Sequence, residues 1–338
     1  MLTLLLIAVM CVSVWGVAIA PNRRNGDYLS RDTTAAVKGV FILLIMLSHS
    51  MSYMTPNDGI DYQVFEGIIN KLGQLVVVMF LFYSGYGVAC GVQRGGADYV
   101  RSIPRHRIGG TLVNFDIAVL VFALTCLALG KIYGVGQWLL SLVAWEGMGN
   151  SHWYIFTIVV CYAITYIACR LSRKAKSRVV LHFALAALYV VTISQVKEGV
   201  WYDTVMSYPA GFALGVYRER YEELMDRHYY KLLCGLLVLF VVLYAVKADY
   251  LALRYNALGI VFALLVLTLS RRLTLGNAVL RWCGTLLFPL YIYMRLPMLV
   301  LAERAAWLPA EYPWLFVMIS ATITVVIAAL YKNWQIKL

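Results

Sequence analysis

The chain has 338 residues, of which 62% are hydrophobic and 14% are charged, and its mean hydropathy is +0.75. A soluble domain averages about 45–50% apolar and about 25% charged residues, so the composition excludes an ordinary soluble globular protein. The formal net charge of +12 would suit a nucleic-acid binder, but the positions of the basic residues argue against that function.

Apolar segments of membrane-spanning length recur along the whole chain. A helix needs about 20 largely apolar residues to cross the hydrocarbon core, because each residue adds about 1.5 Å. Residues 2–20 and 312–331 meet this requirement without a single charge. We therefore predict an all-α, polytopic transmembrane bundle of about 11 helices, with spans near residues 2–20, 35–54, 68–91, 109–130, 152–169, 179–195, 202–217, 232–247, 255–270, 283–301 and 313–331.

The basic residues follow the predicted topology. Most of them fall in alternate loops, beginning with the loop after the first span and ending at Lys332 and Lys337, whereas the other loops are diluted by acidic residues. Cytoplasmic loops carry the Lys and Arg excess, so we place the N-terminus outside and the C-terminus in the cytoplasm. The first span has no basic residue before it and is predicted to be a retained helix and not a cleaved signal peptide. The net positive charge is then explained by the membrane topology, and we expect no nucleic-acid partner.

The second span contains two ionisable residues, Lys38 at its start and His49 near its end. Eleven residues correspond to about three helical turns, so both side chains share one helix face, separated by about 16 Å along the axis. A charge at membrane depth is costly and usually faces a cavity or another helix. Lys38 could instead extend to the interface, and His49 could simply bind a neighbouring helix. We nevertheless interpret His49 as a functional residue.

Three further polar positions lie at or near membrane depth. His152 opens the fifth span, at the same predicted face as His49. An imidazole can give or take a proton near neutral pH, so the pair suggests a proton-transfer site, although a histidine beside an interfacial Trp/Tyr belt is an equal alternative. Asp116 in the fourth span could pair with Arg107 or Lys38. Arg295, in the tenth span, could bind an anionic group or an acidic neighbour.

The loop after the third span is compact and strongly basic, with Arg101, Arg105, His106 and Arg107. Guanidinium groups bind phosphate in two-point hydrogen bonds, which would suit a phosphate-rich cofactor. The alternative is that these arginines only set the topology. The seven cysteines are scattered singly, without metal-ligand spacing, so we expect no metal.

The order of several motifs resembles the membrane-bound acyltransferase-3 family. A basic residue, ten intervening residues and a histidine occur in the first core helix, with Lys38 where the family commonly has Arg. The remaining matches, in order from about residue 28 onward, are Phe82-Tyr83-Ser84-Gly85, the loop Tyr99–Arg107, Trp153-Tyr154, Pro209–Gly215 and Tyr291–Pro297. The chain departs from the family pattern at Ala35, where an acidic residue is common, and at Arg295, where many members have His.

The resemblance implies a ten-helix catalytic core, residues 28–338, preceded by one additional helix and a linker, residues 1–27. It implies an O-acyltransferase of the bacterial inner membrane that takes an acyl group, typically acetyl, from cytoplasmic acyl-CoA. The acceptor would be a hydroxyl of a glycan or lipid-linked sugar at the outer face. The family also allows a homo-oligomer or a biosynthetic complex.

Roles for individual residues follow from the resemblance and from the positions above. His49 would be the general base, with Lys38 and His152 assisting in catalysis. Arg101, Arg105, Arg107 and Ser84 would bind acyl-CoA, and Trp153, Tyr154, Arg295 and Asp116 would contact the acceptor.

Two other classes of function stay open at this point. A transporter or exporter of a polysaccharide or lipid also places ionisable residues inside the membrane. Transporters often carry inverted repeats with matching broken helices, and no such pairing is visible in this sequence. A structural subunit of a biosynthetic complex would leave His49 and His152 dispensable.

Overall fold

A computed structural model describes residues 1–19, 25–246, 251–336 and 338 of the chain. Lys337, one of the basic residues used for the topology, lies outside them, as does Arg23, in the loop after the first span. The helices and strands of the described residues are, in chain order, α1 (Leu2–Val14), β1 (Val17–Ile19), α2 (Arg31–Met51), α3 (Ile60–Leu72), α4 (Leu75–Ser102), α5 (Gly110–Ala128), α6 (Val135–Leu142), α7 (Trp153–Leu171), α8 (Ala175–Ile193), α9 (Ser207–Ala245), α10 (Leu251–Ser270), β2 (Leu273–Leu275), α11 (Ala278–Thr285), α12 (Leu287–Tyr293), α13 (Arg295–Arg304), α14 (Trp307–Glu311) and α15 (Pro313–Lys332). A π-helical segment, Ile103–Gly109, joins α4 to α5. The predicted all-α bundle is confirmed.

Within the described residues, seven helices are long and apolar enough to cross a membrane, or eight when the bent pair α11 and α12–α13 counts as one span. Two of the seven exceed the length of one crossing: the helical run Ile60–Ala128 has 69 residues, and Ser207–Ala245 has 39. Since about 20 residues suffice for one crossing, each is long enough for two. Gly96 interrupts the first run and Tyr217 and His228 bend the second.

The lipid-facing and core-facing sides of α5 illustrate how the spans pack. Leu120, Leu124 and Leu127 are exposed, whereas Phe115 and Phe122 are fully buried. The exposed leucines recur every three to four residues and so form one helix face. Large apolar side chains on the outside are unfavourable in water but expected against lipid, so this pattern agrees with a membrane-embedded bundle.

The prediction of a helix over residues 2–20 is wrong for residues 15–19, and residue 20 lies outside the described residues. The 13-residue α1 is followed by β1, which pairs with β2 in antiparallel register, Val17 opposite Leu275 and Ile19 opposite Leu273. Gly16 takes a positive φ of 74° at the turn, a conformation that glycine adopts at little cost. Hydrophobicity identified an apolar segment, but the partner strand, more than 250 residues away in sequence, converts its end from helix to strand.

Two helix crossings bring backbones into direct contact, and glycine makes both possible. At the crossing of α2 with α11, Gly39 lies against the Leu280 carbonyl and Gly284 lies against the Ala35 carbonyl. Any side chain at either glycine would overlap that carbonyl. Small residues are the usual means by which membrane helices approach closely.

The second such crossing joins α4 to α9. Gly85 lies against the Tyr208 carbonyl, and Gly211 lies against the Phe82 carbonyl. Because Gly85 faces α9, the neighbouring Ser84 is turned by about 100° around the helix and faces α7. Gly85 therefore provides a close-packing surface between α4 and α9, and this contact also orients Ser84.

We expect Gly284→Ala to destabilise the protein, because the added Cβ would overlap the Ala35 carbonyl and the two helices would have to separate. Overpacking of this kind costs about 1–3 kcal/mol. The control is Gly235→Ala on α9, where an added Cβ meets nothing within 4 Å. Thermal unfolding of the detergent-solubilised variants measures the difference, and equal melting temperatures for the two variants would contradict the role of the crossing.

Candidate active site

His49 lies where three segments of the bundle meet. Its Nε2 atom is 3.5 Å from the hydroxyl of Ser151, which precedes α7, and its ring contacts that of Tyr291 on α12 edge to face, with centroids 6.4 Å apart. The hydroxyl of Tyr291 lies beside Ser151 but makes no hydrogen bond of regular geometry with any described residue. We call these three residues the histidine cluster. It brings together an imidazole and two hydroxyl groups inside the bundle.

Arg295 lies next to the histidine cluster. Its Nε atom donates a hydrogen bond of 3.2 Å to the Tyr53 hydroxyl, and its guanidinium lies over the Tyr53 ring, 5.4 Å from the centroid. The 66° bend between α11 and α12–α13 sets the direction in which α12 and α13 leave α11, and these helices carry Tyr291 and Arg295. A cation beside an imidazole gives the cluster a positive potential that would attract an anionic or strongly polar group.

A small cavity of 170 Å³ lies beside the histidine cluster, and Tyr291 is part of its wall. Its other hydroxyl groups belong to Ser84, Tyr154, Tyr162 and Thr111, and its remaining walls are apolar. Ser84 lies next to the hydroxyls of both tyrosines from α7. We call this space the hydroxyl cavity.

A larger cavity of 860 Å³ lies at the opposite end of α2. Five cationic side chains line it, and no carboxylate is among the described residues of its wall; the cations are Arg31, Lys38, Arg94, Arg107 and Arg218. Tyr83 and Tyr86 contribute phenol groups to the same wall. We call this space the basic cavity. Its charge makes it a site for an anion carrying several negative groups.

Ion pairs and hydrogen bonds hold one of these cations in place. Arg218 donates through Nε to Glu222 at 2.7 Å and through Nη1 to the Tyr86 hydroxyl at 3.2 Å. Glu222 also accepts a hydrogen bond of 3.0 Å from the buried Tyr28. By contrast, no carboxylate lies within ion-pair distance of Lys38 in the part of the chain that the structure describes. Glu222 balances the charge of Arg218, and the other four cations of the wall leave the cavity with a net positive charge.

The two cavities are neighbours in the bundle. Arg107 lines the basic cavity, and its guanidinium lies 5.9 Å from the ring centroid of Tyr162, which lines the hydroxyl cavity. On the far side of the hydroxyl cavity, Tyr291 contacts His49. The order of features from one end of α2 to the other is therefore basic cavity, hydroxyl cavity and histidine cluster.

The arginines of the predicted phosphate-binding loop do not stay together. All three arginines are exposed, but Arg107 lines the basic cavity, whereas Arg101 pairs with Asp98 at 2.6 Å. Arg105 lies outside the walls of both cavities. Arg101 lies in the last turn of α4, and the π-helical segment that follows turns Arg107, but not Arg105, toward the cavity. The structure therefore brings Arg107 to the wall of the basic cavity and leaves Arg101 and Arg105 outside it, and the binding of acyl-CoA by these arginines stays a prediction.

His152 directly follows Ser151, which touches His49, but its own ring lies in other surroundings. Its ring packs against Trp201 with centroids 5.6 Å apart, and it lines a separate cavity of 440 Å³ together with Lys197. Burial lowers the pKa of His152 below its usual range. No contact among the described residues joins it to His49, and the neighbour that does touch His49 is Ser151. A shared two-histidine site is therefore not formed by direct contact.

The other residues predicted to contact the acceptor are Tyr154, Trp153 and Asp116. Tyr154 lines the hydroxyl cavity, with its ring 5.3 Å from that of Tyr291, and Trp153 packs against Tyr154. Asp116 does not pair with Arg107 or Lys38: its Oδ1 atom is buried and has no hydrogen-bond partner in the described ranges.

Sequence reasoning missed Ser151, Tyr291, Arg31, Arg94 and Arg218 as site residues. Two of them sit inside motifs that the sequence does single out: Ser151 precedes His152, and Tyr291 opens the Tyr291–Pro297 segment. The arginines carry no such signal, because a basic residue at the end of a span is already explained by topology. Only the folded bundle places them around one cavity.

These features define a polytopic membrane protein with a polar site inside its helix bundle. Among the described residues, no group of three or more His, Cys, Asp or Glu side chains could hold a metal ion. A family model described as an acyltransferase domain, that of the acyltransferase-3 family, matches residues 35–332. The chain therefore belongs to this family, as its motifs predicted, and is an acyltransferase. No curated protein and no solved structure matches the chain.

The charge of the basic cavity can be measured at Cys90, which lines it. We expect an anionic methanethiosulfonate reagent to modify Cys90 about tenfold faster than a cationic one, after correction for their rates with free cysteine, because the surrounding cations concentrate anions. Peptide mass spectrometry measures the rates, with the buried Cys161 as the unreactive control. Equal rates for both reagents, or faster modification by the cation, would show that the cavity is not positive.

Proposed function

We propose that this acyltransferase moves a short acyl group, such as acetyl, from acyl-CoA to a hydroxyl group of a glycan or lipid-linked sugar. The observation that carries the proposal is the basic cavity, whose five cations and lack of carboxylates among the described wall residues suit the phosphates of CoA. Guanidinium groups bind such phosphates in two-point hydrogen bonds.

The arrangement along α2 supports a reaction that connects the two ends of the helix. The donor would enter the basic cavity, with Arg107, Arg218 and Lys38 near its phosphates, and its thioester would extend past Tyr162 toward the histidine cluster. The acceptor would approach His49 from the other end, near Arg295 and Trp153. The positive-inside pattern supports entry of the donor from the cytoplasm and of the acceptor from outside, with residues 28–338 as the catalytic unit and residues 1–27 as an addition to it.

In the chemical step, His49 acts as the general base. Its imidazole takes the proton of the acceptor hydroxyl as the oxygen attacks the thioester carbonyl. A C–O bond forms, the C–S bond breaks, and the proton passes from His49 to the departing CoA thiolate. The Ser151 hydroxyl, 3.5 Å from Nε2, orients the imidazole. The Tyr291 hydroxyl, which lacks a regular partner among the described residues, is suited to donate a hydrogen bond to the developing oxyanion.

Donor binding is tested by thermal unfolding of the purified protein with acetyl-CoA or with free acetate. We expect acetyl-CoA to raise the melting temperature, since a ligand that binds only the folded state stabilises it, and acetate to leave it unchanged. Arg218→Met should weaken the response to acetyl-CoA by about tenfold in concentration. The control, Arg227→Met, removes an exposed arginine that pairs with Glu223 on the same helix.

Two results would contradict this assignment of the donor site. One is an equal response of the wild-type protein to acetate and to acetyl-CoA. The other is an unaltered acetyl-CoA response in Arg218→Met.

Catalysis is tested by His49→Ala in native membranes supplied with isotopically labelled acetyl-CoA, with mass spectrometry of the surface glycans as the measurement. We expect transfer to fall at least about 100-fold, within the range that a general base contributes. His228→Ala, which removes an exposed histidine of α9, should retain activity. Full transfer by a His49→Ala protein with normal thermal unfolding would exclude the general-base role, and transfer by neither variant nor wild type would instead favour an export function.

A further inference from the structure

The hydroxyl cavity has a size and a lining that suit one part of the proposed donor. Its volume is 170 Å³, and half of its ten lining residues are apolar side chains from three helices, among them Phe80, Ile155, Ile158 and Phe288. An apolar cavity of about 150 Å³ is large enough to bind benzene, a molecule of six carbons. The space is therefore large enough for a short carbon chain and too small for a sugar together with its hydration.

The position of the cavity agrees with such an occupant. At one side, Tyr162 lies under Arg107 of the basic cavity, and at the other, Tyr291 packs against His49. A thioester whose phosphates occupy the basic cavity would therefore bring its acyl group to this space immediately before reaching the imidazole. The acyl chain would lie against the apolar wall, and the carbonyl would face the hydroxyls of Tyr291 and Tyr154.

We infer that the hydroxyl cavity holds the acyl chain of the donor and limits its length to about six carbons. This inference rests on the proposed function and adds to it the place where the acyl chain binds and an upper limit on its length. Burial of each further methylene in an apolar site is favourable, so binding improves with chain length until the wall is reached. A longer chain would have to displace packed helices, and close-packed interiors resist such expansion.

Ile158 on α7 is the specificity-determining residue that the geometry indicates. It lines the cavity, is 4% exposed, and follows Tyr154 by four residues, so both project from one face of the helix. Its side chain therefore stands beside the phenol expected to face the carbonyl, where the chain of the acyl group would pass. Removing three of its carbons should lengthen the space, and replacing it by Phe should shorten it.

The test measures transfer from acetyl-, butyryl-, hexanoyl- and decanoyl-CoA to the glycans of native membranes, with mass spectrometry of the products. For the wild-type protein we expect transfer of the first three and at least about tenfold less of the decanoyl group. Ile158→Ala should raise the decanoyl-to-acetyl ratio by about tenfold, and Ile158→Phe should lower the hexanoyl-to-acetyl ratio. Ile167→Ala is the matched control, because Ile167 lies on the same helix but is 43% exposed.

The outcomes separate this inference from the proposed function. Equal transfer of hexanoyl and decanoyl groups by the wild-type protein would overturn the length limit while leaving acyl transfer intact. Unchanged chain-length ratios in both Ile158 variants, each with normal thermal unfolding, would overturn the assignment of this cavity. Absence of transfer from every thioester would overturn the proposed donor and the inference with it. The use of two variants of opposite effect keeps the test valid if one of them fails to fold.

Discussion

Direct backbone contact between helices is the constraint on which the site depends. In lipid, apolar side chains gain little by leaving their surroundings, so helices associate through close packing. Gly39 and Gly284 allow α2 and α11 to touch, and this contact fixes Lys38, the residue beside Gly39, in the wall of the basic cavity. Gly85 does the same for α4 and α9 and turns Ser84 toward α7. Both polar residues owe their positions to an adjacent glycine.

Most of the charged side chains of the site lie apart from the groups that we propose to react. Five cations line one cavity, while the histidine cluster at the other end of α2 contains uncharged hydroxyl groups, with Arg295 as the neighbouring cation. Uncompensated charge inside a membrane is costly, so it is favourable to gather it where a polyanion can neutralise it. No charged side chain is among the described residues that line the hydroxyl cavity between the two ends. Such a lining suits the uncharged part of a donor.

Helix α2 shows most clearly how much of the site could be predicted from the sequence. The spacing of Lys38 and His49 correctly placed both on one face of a helix, because helical geometry is local and regular. The partners of His49 could not be read in this way, since Ser151 and Tyr291 come from segments about 100 and about 240 residues away along the chain. The predicted topology placed His152 at the same membrane face as His49 and so favoured it as the partner of His49. In the structure, His152 packs on Trp201 and lines another cavity.

The sequence by itself determined that the protein is an all-α membrane bundle, that it belongs to the acyltransferase-3 family, and that α2 carries ionisable groups. Composition and hydropathy suffice for the first, motif order for the second and helical period for the third. The tertiary structure decided that α1 ends at Val14, that Arg107 and not Arg101 faces the site, and that Tyr291 accompanies His49. These depend on a distant strand, on an irregular π-helical turn and on the bend before α12, and none of these has a local signal in the sequence.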